Sequence, residues 1–122
     1  MKRTYRKAER MQFQKQTAEL IVELGGTPDP QWNPQNKDES PHYVLKTSVG
    51  ILRLTVSNHD YPPSLGTLFG QFDDVDRLPS WLGVGSNGKW NHHLFTNWTL
   101  ENWLTYLRSA LTQLLTLESW ST

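Results

Sequence analysis

The feature that most constrains this chain is a leucine-rich period near its C-terminus. Leu100, Trp103, Leu104, Leu107, Leu111, Leu114 and Leu115 stand at offsets of 0, 3, 4, 7, 11, 14 and 15 residues. That is one face of a 3.6-residue helix held over more than four turns, and a face so apolar has to be buried. Thr99 stands where an N-cap hydroxyl accepts from first-turn amides, and Glu101 follows where the helix dipole favours an anion. The rest of the chain therefore has to supply an apolar surface about 25 Å long for this helix to lie on.

Alternating segments in the middle of the chain provide it. His42 to Val56 reads as a β-hairpin with Gly50 in its turn, and in its second arm Leu52, Leu54 and Val56 share one face while Ile51, Arg53 and Thr55 share the other. Leu65 to Phe72 reads as a third strand and Lys89 to Phe95 as a fourth. From Thr4 to Leu24 the pattern is helical, with Phe13, Thr17, Leu20, Ile21 and Leu24 on one stripe and Gly25-Gly26 as the stop. Asp73 to Leu78 offers the start of a short helix that Pro79 keeps to a turn or two. Thr27 to Pro41 carries four prolines and reads as a loop, pinned at most by Trp32. The expectation is a single α+β domain over residues 1–122: a two-layer, four-stranded, mainly antiparallel sheet packed against an N-terminal helix and a long C-terminal one. Residues 1–12 form its basic end, 27–41 the Pro-rich loop and 119–122 a tail.

At 122 residues such a domain buries roughly two-thirds of its unfolded surface. Six Trp, four Tyr and four Phe carry much of that burial. With no cysteine, disulfides, thiolate nucleophiles and Cys-ligated metal sites are excluded, and the chain fits a reducing, cytoplasmic setting. No apolar run approaches the ~20 residues of a membrane helix, so no membrane partner is expected. The formal net charge is zero, yet Lys2, Arg3, Arg6, Lys7, Arg10 and Lys15 oppose only Glu9 at the start. The overall balance argues against a dedicated nucleic-acid binder, while Lys2, Arg3, Arg6, Lys7 and Arg10 form a local basic patch.

The densest group of polar and aromatic side chains is Asn87-Gly88-Lys89-Trp90-Asn91-His92-His93. Asn87-Gly88 is a tight-turn signal, and strand alternation after it sends Trp90 and His92 one way and Lys89, Asn91 and His93 the other. Gly88, Trp90 and His92 then serve the fold, and Lys89, Asn91 and His93 form an outward row with a point charge, an amide and an imidazole. In its structural reading that row is solvent-facing strand; in its functional reading it binds an anion, a base or a partner. Adjacent histidines on a strand point to opposite faces, so His92 and His93 do not share one ion, and no ligand spacing for zinc is present. Asp73, Asp74 and Asp76 read as helix-capping acids rather than a cation site. Gly83 to Gly88 leads into a strand and lacks the helix N-terminus of a phosphate loop. No nucleophile elbow occurs. Neither a metal nor a cofactor is expected. Trp32 and Trp81, placed in loops, are the aromatic candidates for partner contact, as is Trp120 in the tail.

Three segments resemble a group of small proteins of bacteriophages, plasmids and other mobile elements. They are Thr47-Ser48-Val49-Gly50-Ile51-Leu52, Phe69-Gly70-Gln71-Phe72-Asp73-Asp74-Val75 and Ser86-Asn87-Gly88-Lys89-Trp90-Asn91-His92-His93, spread over roughly the middle half of the chain. Gln71 stands where that pattern has Arg, and Asn87 where it commonly has Ser. The resemblance implies a mobile-element setting and an accessory or anti-defence role. With no catalytic signature, the expectation is a non-enzymatic binding protein that acts on a host protein. A nucleotide or nucleic-acid binder using the Lys89, Asn91 and His93 face is the alternative, and a homo-oligomer is compatible with either.

Overall fold

A computed structural model describes residues 7–32, 40–57, 64–75, 87–95 and 98–116. Helix α1 (Lys7–Glu23) and helix α2 (Leu100–Thr116) flank five strands: β1 (Thr27–Pro28), β2 (His42–Thr47), β3 (Gly50–Ser57), β4 (Ser64–Phe72) and β5 (His92–Phe95). The strands make one sheet in sequence order, every neighbouring pair antiparallel. The α+β expectation holds, but among the described residues the sheet has five strands rather than four. The added edge strand comes from the segment expected to be all loop, where Thr27 pairs with Val44 and Pro28 with Tyr43. A proline is tolerated there because an outermost strand does not need every N–H for the ladder.

Two further expectations change. Residues 73–75 are not helical. Asp73 donates its backbone N–H to Ile51 O and its carboxylate accepts from Arg53, which ties it to the sheet, while residues 76–78 of the expected helix lie outside the described residues. The last strand begins at His92 rather than Lys89, with Lys89 joined to Gln71 only by an isolated bridge. The reason is local. Trp90 N donates to Gly70 O at 2.9 Å, but Gly70 N donates to the side-chain Oδ1 of Asn91 at 3.2 Å, so a carboxamide stands in for a ladder carbonyl.

The two helices end as their sequences dictate. Gly26 N donates to Ile21 O and Gly25 N to Val22 O, with Gly25 at φ 108°, the left-handed closure that satisfies terminal carbonyls. Asn102 N donates to Thr99 Oγ1 at 3.0 Å, so Thr99 caps α2. At the other end of α2, Ser48 in the hairpin turn donates its N–H to Leu114 O and its hydroxyl to Leu115 O. One turn thus closes the β2–β3 hairpin and satisfies two carbonyls that a helix end leaves orphaned.

The core draws on one set of sheet residues and on both helices. Cross-strand register aligns Tyr43, Leu54 and Gly70 in one row, Leu45, Leu52 and Phe72 in a second, and Val56 with Leu68 in a third. All are buried. Phe13, Leu20 and Ile21 from α1 and Trp103, Leu107, Leu111 and Leu114 from α2 join them in one cluster. Trp103 is its centre: its ring lies 5.4 Å from that of Phe13, and its Nε1 donates to Thr17 Oγ1 at 3.0 Å, tying the helices together. At the surface Arg108 pairs with Glu23 across the same helix–helix junction. Among the described residues no helix is long and apolar enough to cross a membrane.

Candidate functional site

The opposite face of the sheet carries the polar residues. Because side chains alternate, each strand that buries Leu or Val on one side presents its other residues here. Register puts Val44, Arg53, Gln71 and Lys89 in one row across the sheet. His42, Thr55 and Phe69 form the next row, with Asn91 beside it on the segment that leads into β5, and Thr67 and His93 form a third. Arg53, Phe69, Gln71, Lys89, Asn91 and His93 are all exposed.

Phe69 is the centre of this surface. An aromatic ring 44% exposed, on a strand whose other face is buried, is a large apolar group left in water. Ile51, 36% exposed, lies further along the same face. Two cross-strand His–Thr pairs flank the ring: His42 Nδ1 with Thr55 Oγ1 at 2.8 Å, and His93 Nδ1 with Thr67 Oγ1 at 2.9 Å. Each fixes an imidazole against the sheet.

Arg53 is the dominant charge of the face, and it is already matched. Its Nε and Nη2 bind both oxygens of Asp73, at 2.8 and 3.1 Å, and its Nη1 reaches Asp29 at 3.1 Å. Such a two-oxygen fork is the strong form of an Arg–carboxylate pair. Asp29 accepts in addition from Gln31 N at 3.0 Å. That amide first, and Arg53 with it, hold the Asp29 carboxyl below its ordinary range against the opposing effect of burial. Arg53 therefore clamps the loop after β1 to the end of β4 and adds little free positive charge. Among the described residues, Lys46 and Lys89 are the cations of this face with no carboxylate partner.

The Asn87 to His93 stretch divides as alternation requires. Gly88, at φ 75°, lies where a side chain would meet Val75. Its carbonyl accepts from Phe72 N at 3.1 Å, and Gln71 Nε2 donates to the neighbouring Asn87 O. Gln71 thus holds this turn onto β4. Trp90 faces the core, 8% exposed. Asn91 is on the outward row, but its Oδ1 is committed to Gly70 N, so its outward chemistry is that of its amide donors.

His92 points to the helix side and enters an aromatic group at the sheet's rim. Its ring centroid is 4.1 Å from that of Trp90 and 5.5 Å from that of Tyr106, whose hydroxyl hydrogen-bonds Nδ1. Trp98 packs edge-on against Tyr106 at 5.3 Å. A cavity of about 260 Å³ opens beside Trp90, His92 and Tyr106, with Ser109 and Gln113 of α2 on its wall. Burial, and secondarily the neighbouring His93, depress the His92 pKa. The folded domain therefore takes up this proton less readily than the unfolded chain. Above the unfolded value of about 6.5 both states are neutral and His92 adds no pH dependence. As pH falls below it the unfolded chain is protonated first, and stability drops until the folded value is reached. Thermal unfolding from pH 7.5 to 5 is expected to show this loss, and His92→Gln to remove that part of the slope.

Other candidate residues are not drawn together. Trp32 is half-buried, its ring tilted against that of Tyr43 at 5.6 Å, so it pins the β1–β2 connection and stands away from the Lys89 row. Arg10 is half-buried on α1, and Lys7 opens that helix. Lys2, Arg3, Arg6, Trp81 and Trp120 lie outside the described residues, as does Asp76. Among the described residues no three His, Asp or Glu side chains come together as a ligand set. Sequence reading did not single out Arg53 or Gln71 for the site. The signal for both was present, since alternation places them on the same face as Phe69. Comparison of the chain with protein-family models, characterised proteins and solved structures returned no match.

Proposed function

We propose that this chain is a non-enzymatic binding domain that recognises a protein partner through the sheet face centred on Phe69. In this reading the domain is two-layered, with both helices on one side of the sheet and the recognition face on the other. The observation that carries it is the exposed Phe69 ring, set among Arg53, Gln71, Lys89, Asn91 and His93. An aromatic anchor ringed by polar groups is the composition of an interface hot spot. Apart from Lys89, the polar groups are held by Thr, Asp and backbone partners, so the surface is organised before a partner arrives, which lowers the entropy lost on binding. The Gly-Lys-Trp-Asn-x-His resemblance supports a setting in a phage or other mobile element, where such a domain acts as an accessory or anti-defence factor on a host protein.

A second reading rests on the same ring. Phe69 beside Lys89 on an antiparallel sheet offers a base-stacking platform with a cation near it. Arg53 speaks against it, because Asp29 and Asp73 neutralise the largest charge of the face. Phe69→Ala and Lys89→Ala separate the readings. For a protein partner, Phe69→Ala weakens binding at least about tenfold, as truncation of a hot-spot aromatic does, and Lys89→Ala has a smaller effect. For a nucleic acid, fluorescence titration with oligonucleotides gives binding that weakens steeply with salt, and Lys89→Ala reduces that salt slope.

A further inference from the structure

Helix α1 is apolar on two sides. Phe13, Leu20 and Ile21 face the core, while Met11 and Val22, on the other side, are 54% and 50% exposed. A helix that only covers a sheet needs one apolar stripe; a second, outward one marks contact with another body. Met11, Lys15, Ala18 and Val22, of which Ala18 is half-buried against the core while still lining the groove, are spaced by four, three and four, the seam of a helix pair. An open groove of about 970 Å³ runs along this face, with Pro41 and Tyr43 on its far wall.

The occupant follows from the order of residues on the seam. We propose that the outer face of α1 is a homodimer interface in which two copies of the helix pack antiparallel. With the two-fold axis between positions 16 and 17, Met11 meets Val22 of the other copy and Lys15 meets Ala18, each contact made twice. Ala18 is small, so the helices approach closely and the Lys15 stem lies over it. Its ammonium then reaches Glu19 of the other copy, next in line. Lys15 and Glu19 are both exposed, and neither has an ion-pair partner among the described residues. The pattern is self-complementary in charge as well as in shape, as a two-fold interface requires. A parallel pair would instead set Lys15 against Lys15. The seam lies on the helix side of the sheet, so dimerisation leaves both Phe69 faces free, and a dimeric target would be held by two domains at once.

Sedimentation velocity tests this on the full chain, and its outcome does not depend on the Phe69 reading. A single helix seam with the Pro41 and Tyr43 wall is smaller than the ~800 Å² per partner of a tight complex, so loading concentrations run from about 5 to about 500 µM. A monomer–dimer equilibrium is expected. Lys15→Glu and Glu19→Lys each raise its dissociation constant about tenfold or more, and the double exchange returns it to within about threefold of the original. Circular dichroism confirms that each variant stays folded. Thiol cross-linking fixes the direction, since the chain has no cysteine of its own. Under copper–phenanthroline oxidation, a mixture of Met11→Cys and Val22→Cys proteins gives crossed dimers. Met11→Cys alone does not, because its two thiols lie about 16 Å apart along the seam and bridging needs Cα atoms within about 7 Å. A monomer at every concentration, a dimer indifferent to Lys15→Glu, or equal cross-linking of Met11→Cys alone overturns the proposal.

Discussion

Trp103→Ala lowers the unfolding free energy by about 3–5 kcal/mol, which removes most of the stability of a domain this size. Three effects combine at this residue. The side chain is fully buried, so truncation opens a cavity bordered by Phe13 and the sheet. Its Nε1–H is the partner of Thr17 Oγ1, itself fully buried, and losing it leaves a polar group unsatisfied away from water. The same side chain joins α1 to α2, so the loss is shared by two elements. Urea denaturation followed by circular dichroism reads the effect. Trp103→Phe separates the contributions: it restores much of the volume but not the hydrogen bond, and is expected to recover roughly half of the loss.

Gly70→Ala has the second largest expected effect, because it attacks the join between β4 and the last strand. A Cβ at position 70 would run into Trp90 O and lie 3.2 Å from Trp90 Cβ. Backbone does not yield as a side-chain tip does, so the Trp90 to His93 segment has to move outward. Such a shift breaks both the Trp90 N to Gly70 O and the Gly70 N to Asn91 Oδ1 hydrogen bonds. A loss of about 2–3 kcal/mol is expected, together with weaker partner binding, although residue 70 is itself buried. Gly25→Ala is the contrast. That position has a positive φ of 108° but nothing within 4 Å of the added carbon, so only backbone strain of about 1–2 kcal/mol is expected and binding is unchanged. Chemical denaturation and affinity measured on the same samples distinguish the two glycines.

These two positions show why some of the molecule could be read from the chain and some could not. Trp103 announces itself through a long, clean 3.6-residue period, and so do its neighbours Leu107, Leu111 and Leu114. The hairpin faces were equally legible, because alternation in Ile51 to Val56 leaves one consistent choice of inside and outside. The outward position of Lys89, Asn91 and His93 followed from the same rule. What alternation does not encode is the side chain that intrudes into the ladder. Asn91 reads as a recognition residue, yet its Oδ1 takes the place of a strand carbonyl and delays the start of β5. Asp73 reads as a helix-capping acid because three Asp stand close together in sequence. Its actual partner, Arg53, is twenty residues away and meets it only through the β3–β4 register. The two-residue strand at Thr27–Pro28 escapes notice because a segment that short has no period, and its pairing is set by the strand it joins. The Phe69 ring was visible as an alternating residue, but its exposure depends on which face the helices occupy.

Under the proposed function a protein partner meets the Phe69 face and not the helix side. Site-specific photo-crosslinking tests it most directly. A photoreactive phenylalanine is placed singly at Phe69, at Lys89 and, as a control, at exposed Thr105 on α2, and each protein is irradiated in host lysate. One and the same protein is expected to be captured from positions 69 and 89 and not from 105, with capture from 89 abolished by Phe69→Asp. Capture from 105 alone, or capture from 89 that is indifferent to Phe69→Asp, would contradict it.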